Sequence, residues 1–232
     1  MSKPKPTWPT RQVLELACAA QRVNGAYVKE QVPVYDSEGK LMYLKQNNKV
    51  LMLVTLEPNY WPTNQPDHPG YLKILPEDVA HADVILTYYK RLMFKAIEGG
   101  NDFLTTVNSI LNSEVVAENM IGYVACLPSV SAKDIMHLKV EKASKRVEEG
   151  YIGCPGQVVL DKDCEVLESI KSKNFEGYNI CAIMDNKMVG WISKKDLALG
   201  ACVIIKARIK DHSKHWKHGN PVTRLNYVKA AQ

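Results

Sequence analysis

Nothing in the 232 residues approaches eighteen consecutive apolar positions, about the least that a helix needs to cross a bilayer. The opening MSKPKPTWPT has no apolar run of the signal-peptide kind, so neither a span nor export is expected, and the expected location is cytoplasmic. The six cysteines, at 18, 126, 154, 164, 181 and 202, include no CxxC pair and no regular spacing. That argues against a zinc ribbon or a disulfide frame and leaves reduced, mostly buried thiols. The patterns GxxxxGK[ST], HExxH, GxSxG and GxGxxG are all missing, which removes the commonest nucleotide and hydrolase signatures. Asp161 and Asp163 form a DxD pair with Lys162 between them, and read as a turn. Cys126 and His137 are a nucleophile and a base by type, but each is explained by a helix. We therefore expect no enzyme activity, no catalytic residue, no metal and no cofactor.

Acids are scarce at one end. Between residues 186 and 232 ten Lys or Arg stand against two Asp, a net of +8, whereas the whole chain carries +5 and residues 1–185 are left at −3. With 46% hydrophobic and 24% charged residues the chain is otherwise ordinary globular protein. A basic surface confined to one segment is the usual footprint of phosphate binding, although charge runs are more often plain solvated surface.

Residues 1–148 read as a mainly helical domain. Thr10 suits an N-cap, Val13, Leu14, Leu16, Ala17, Ala20 and Val23 keep to one side, and Gly25 stops the helix. Strand patterns over 27–35 and 41–44 flank the turn-like DSEG at 36–39, predicting a hairpin, and Val50 to Leu56 reads as a further buried strand. Residues 57–70 hold four of the twelve prolines and read as an irregular insertion. A long helix is expected from Pro76 to Gly99, with Val79, Ala82, Leu86, Tyr89, Met93, Ala96 and Ile97 as its buried stripe. Asn101 would cap the next helix, Val115 to Leu127 would stop at Pro128, and Ser131 would cap a helix running toward Glu149.

From 149 to 232 the period becomes that of strands. Gln157–Ile170, Tyr178–Met184, Met188–Ile192, Cys202–Lys210 and Val222–Lys229 are five candidates, with NFEG at 174–177 and DNK at 185–187 as turns. Five short strands led by a long one predict a small Greek-key barrel of the OB type, and with it an α+β class overall. In ACVIIKARIKDH, Val203, Ile205, Ala207 and Ile209 fall on one face and Lys206, Arg208 and Lys210 on the other, with Arg224 outward on the next strand. Those cations form a strip suited to a phosphate backbone. The loop after it carries Lys214, Trp216 and Lys217, an aromatic between cations, which fits stacking on a base. His212, His215 and His218 recur every third residue, but no fourth ligand accompanies them, so no metal site is expected. OB barrels bind through strands 2 and 3 and the rim loops, which adds Tyr178, Lys187 and Trp191, although each aromatic taken singly is more often core than platform.

Several segments carry a resemblance. GYIGCPGQVVLDKDCEVLESI, YNICAIMDNKMVGWIS, LALGACVIIKARIKDH and GNPVTRLNYVK are similar to a C-terminal module of bacteriophage proteins that pair a helical N-terminal region with an OB-like barrel. The matching positions are Gly156, Asp185, Trp191, Gly200, Val203, Ile205, Ile209, Lys210, His212, Thr223, Leu225 and Val228. AQRVNGAYVK, TYYKRLMFKAIEGGNDF and VACLPSV resemble N-terminal pieces of the same proteins, whereas the insertion at 58–69 and the His/Trp loop have no counterpart there. The resemblance implies a viral product near the replication machinery and carries no catalytic motif. Together with the basic barrel it predicts a non-specific single-stranded DNA-binding protein of replication or recombination. Its expected partners are single-stranded DNA, phage replication proteins and further copies of itself, with no membrane. A protein-interaction adaptor and a virion structural component stay open as alternatives.

Overall fold

The computed structural model describes residues 6–61, 69–99, 102–172, 174–215 and 219–231. The chain divides into two compact units, 1–133 and 134–232, so the division falls N-terminal to the boundary expected at 148/149.

In the first unit a short strand β1 (Thr7–Pro9) leads into α1 (Thr10–Asn24), which ends where Gly25 turns left-handed at φ 70° and its N–H bonds the Arg22 carbonyl. Thr10 is the first helical residue rather than the cap, and its hydroxyl donates to the Ser113 carbonyl at 2.6 Å. The expected hairpin forms, but with a shorter first strand than the 27–35 expected: β2 (Val32–Tyr35) pairs with β3 (Leu41–Lys45), its turn held by Asp36 Oδ1 accepting from the Glu38 and Lys40 amides. Residues 50–56 are not a strand. They lie in α2 (Asn48–Leu56), because the Asn47 side chain accepts the Val50 amide at 2.8 Å and so starts a helix. A short apolar run alone does not separate a buried strand from a buried helix.

The long helix α3 (Pro76–Gly99) opens with Asp78 accepting the Leu75 amide while the Asp78 N–H bonds the Leu75 carbonyl, a reciprocal cap. Ala82, Ile85 and Tyr89 are buried, whereas the side chains of Met93, Ala96 and Ile97 lie outside those described. The Asn101 cap expected for α4 (Asp102–Asn112) also lies outside the described residues. After β4 (Val115–Ala117), which pairs with β1, and a 3₁₀ turn, α5 (Ile121–Ser144) runs through Pro128 without stopping. A mid-helix proline costs about 3 kcal/mol locally, yet the helix continues with Leu127 and Ser131 buried on either side, and Ser131 Oγ donates to the Pro128 carbonyl instead of capping a new helix. The core of this unit joins α1, α2, α3, α4, β4 and the first turns of α5. Among the described residues no helix is long and apolar enough to cross a membrane.

The second unit is a closed five-stranded barrel, as expected. β5 (Val158–Lys171), β6 (Tyr178–Met184) and β7 (Lys187–Ser193) form a meander, β8 (Gly200–Lys214) returns to pair with β5, and β9 (Pro221–Ala231) closes the barrel between β7 and β8. The β7–β9 pair is parallel and the others antiparallel. The β6–β7 turn has two residues, Asp185 and Asn186, both with positive φ, the geometry that matches the twist of a hairpin. Val159, Val166, Ile180, Met184, Trp191, Ile204 and Ile209 are among the side chains that fill the interior. Asp161 and Asp163 are exposed and lie within β5, not in a turn.

Register departs from simple alternation on β8. Ile204 pairs with Ala230 but Lys206 with Lys229, and Ile209 pairs with Leu225 but Asp211 with Arg224, so Ile205 and Lys210 are extra residues. The first bulge changes the phase. Cys202 and Ile204 point inward and Val203 and Ile205 outward, against expectation, whereas Ala207 and Ile209 are buried and Lys206, Arg208 and Lys210 exposed, as expected.

Candidate nucleic-acid interface

The outer face of β6 and β7 is built from alternate residues, Asn179, Cys181 and Ile183 on one strand and Met188, Gly190 and Ile192 on the other. The end of α5 and the turn after it, through Val140, Ala143 and Val147, cover Leu167, Cys181, Ile183, Met188 and Val222. Asn179, Gly190 and Ile192 border a groove of about 350 Å³. Its floor is low because Gly190 has no side chain; a Cβ there would sit 3.4 Å from the Ile180 carbonyl oxygen and 3.5 Å from Val222.

The other wall comes from the end of β8 and from β9. Parallel pairing sets Arg224 beside Gly190, and the bulge at Lys210 places that lysine, Ser213 and Lys214 along the groove. Arg224 Nε lies 3.5 Å from Asp211 Oδ1, an exposed ion pair that costs the groove part of one positive charge. Tyr227 stands at the groove's end with 80% of its surface exposed and φ at 52°. A tyrosine held left-handed is strained. It sits where β9 has an extra residue, Arg208 pairing with Asn226 and Lys206 with Lys229, and that bulge turns outward a ring which alternation from Leu225 would have buried.

Of the residues expected from sequence, Lys210, Lys214, Arg224 and Trp191 meet at this groove. Trp191 is a core side chain, 6% exposed, that also borders the groove. Lys206 and Arg208 are exposed on β8 beyond the groove, Lys206 opposite Lys229. Tyr178 is half-buried against the barrel core, and Lys187, at the turn end of β7, donates to the Tyr151 carbonyl at 3.4 Å; neither lines the groove. Trp216 and Lys217 lie outside the described residues, as does His218. His212 stacks flat on Tyr151, ring centres 4.3 Å apart, with Nε2 3.4 Å from the Ile152 carbonyl oxygen, a position explained by packing. Among the described residues no three His, Cys, Asp or Glu side chains group as metal ligands.

Sequence reasoning missed Tyr227, Ile192, Asn179 and Asn226. The pattern of β9 carries no sign of its bulge, so nothing marked Tyr227 as exposed. Two thiols inside the barrel strands are remote from solution chemistry: burial pushes Cys164 up to about 12, with neighbouring Cys202 adding to it, and burial pushes Cys181 up to about 12, helped by Glu168. Thiols so held are poor nucleophiles at neutral pH.

The strand order and the groove define an OB-like barrel whose open face joins β6, β7 and the rim between β8 and β9. Compared with protein-family models, with curated proteins and with solved structures, the chain matches none.

Proposed function

We propose that the chain is a single-stranded DNA-binding protein of a bacteriophage, acting non-specifically in replication or recombination in the cytoplasm of the infected cell. One observation carries this reading: the groove on the β6–β7 face combines three cations, Lys210, Lys214 and Arg224, with an exposed aromatic, Tyr227. Cations meet phosphates, and an aromatic face receives a base of any identity, which is what sequence-tolerant binding needs. The phage context comes from the sequence resemblance alone. Lys206, Arg208 and Lys229 would extend the track along the barrel.

A second reading, a protein-interaction adaptor, is supported by the β2–β3 hairpin, where Leu41, Met42 and Tyr43 are each at least half exposed. The two are separated by titrating a labelled thirty-base single strand, and its duplex, with the full chain at low and moderate salt and following anisotropy. Tight, salt-sensitive preference for the single strand is the expected result. No binding, or equal weak binding to both, overturns it and favours the adaptor.

A further inference from the structure

The second unit carries another depression, of about 460 Å³, between the end of α5 and the outer surface of the barrel. Its lining is of two kinds. Leu167, Ile183 and Leu199 make an apolar floor, and Leu199 is 48% exposed. Lys139, Lys142 and Arg146, all exposed, stand on its rim three and four residues apart, the spacing that puts side chains on one face of a helix and its last turn. Glu165 is the only acid among the described lining residues. Among the described residues, none of the three cations is in an ion pair.

Cations near a helix C-terminus offset the helix dipole, which accounts for their sign. It does not account for a half-exposed leucine on the apolar floor of the same depression. Cationic rim and apolar floor together are complementary to a chain that alternates carboxylates with an apolar side chain. Nucleic acid fits less well, because no aromatic is among the described lining residues, so a base would find no stacking surface.

We propose that this depression docks a short acidic peptide segment of a partner protein. One apolar side chain enters against Leu167, Ile183 and Leu199, and flanking carboxylates meet Lys139, Lys142 and Arg146. The site is separate in composition from the DNA groove and does not depend on that reading.

The test uses the full chain and labelled ten-residue peptides of Asp and Glu with Leu, Phe or Ala at the centre, followed by anisotropy. The Leu or Phe peptide should bind, weaken with salt, and lose about tenfold or more in affinity to the Lys142→Glu/Arg146→Glu variant. The Ala peptide should bind markedly less. Leu199→Ser, an exposed position, should weaken the peptide with melting temperature unchanged, and carries the test should the charge reversal fail to fold. Binding of a thirty-base oligothymidine should be unaffected by Leu199→Ser. Failure of every acidic peptide to bind, or equal binding of the Ala peptide, overturns the proposal. So does a charge-reversal variant that loses oligonucleotide but not peptide, because the rim would then serve nucleic acid.

Discussion

Changing Lys210, Lys214 and Arg224 together to Gln removes the groove's charge and keeps its side-chain bulk. All three are exposed, so the barrel core is untouched. On a single strand each neutralised phosphate contributes about −0.7 to the slope of log affinity against log salt. Among the described residues Lys210 and Lys214 are in no ion pair and count in full, whereas Arg224 shares its charge with Asp211. The triple variant should therefore lose about 1.4 to 2.1 units of slope. Between 50 and 200 mM salt that amounts to roughly a 7- to 18-fold change in affinity that the wild type shows and the variant does not. Anisotropy of a thirty-base strand at four or five salt concentrations reads the slope, and circular dichroism confirms the fold. Asp211→Asn is the opposite arm: it frees Arg224 and removes a repelling carboxylate, so the slope should steepen by up to about 0.7 and binding tighten. An unchanged slope in a folded triple variant would refute the assignment of this groove to phosphates.

Tyr227→Gly should relieve the strained φ of 52° while removing the stacking face. Affinity for a single strand should drop by about 1 to 3 kcal/mol with melting temperature level or raised, and a variant that binds as wild type shows that the ring is idle. Asp78→Ala should destabilise the chain by about 2 kcal/mol at pH 7 in chemical denaturation, because Asp78 both caps α3 and pairs with Arg22 at 2.8 Å. Burial pushes that carboxyl up, but the Arg22 hydrogen bonds and the Leu75 amide outweigh it and hold it below its ordinary value. Its stabilisation is thus present above pH about 4 and fades as the pH falls through the lower folded value, so the gap between wild type and variant should close in acid; a gap constant with pH is the contrary result. Native protein at pH 8 should give one fast thiol, the exposed Cys154, to a disulfide reagent and all six only when unfolded. Early reaction of Cys164 or Cys181 would show the barrel opening.

The barrel was readable because its strands are bounded by turn chemistry. Asp185 and Asn186 fix the β6–β7 hairpin, and the alternation on β6 and β7 needs no distant information. What escaped were places where tertiary contacts overrule a local rule. Residues 50–56 are apolar enough for either structure and become helix through one side-chain cap at Asn47. Helix α5 continues through Pro128, with Leu127 and Ser131 buried on either side, although the residue itself reads as a stop. The groove was half visible: its cations announced themselves by composition, but Tyr227 depends on a bulge whose cause lies in the pairing of β9 with β8. Lys187 was drawn in by its strand, yet it stands at the turn end of β7 and Gly190, which opens the floor, further along.

The two bulges on β8 also bear on how the gene can change length. Within a regular strand, loss of one codon inverts every later side chain, sending Ala207 and Ile209 to solvent and the cations into the barrel. Loss of Lys210 removes a residue that has no partner on β9 and lies beyond the β5 pairing, which ends at Arg208, so the phase is kept; Ile205 is extra against β9 but stands opposite Asp161 of β5, and its loss would slip that ladder. A one-residue deletion that spares the fold should therefore fall at the Lys210 codon and not at the Ile205 codon.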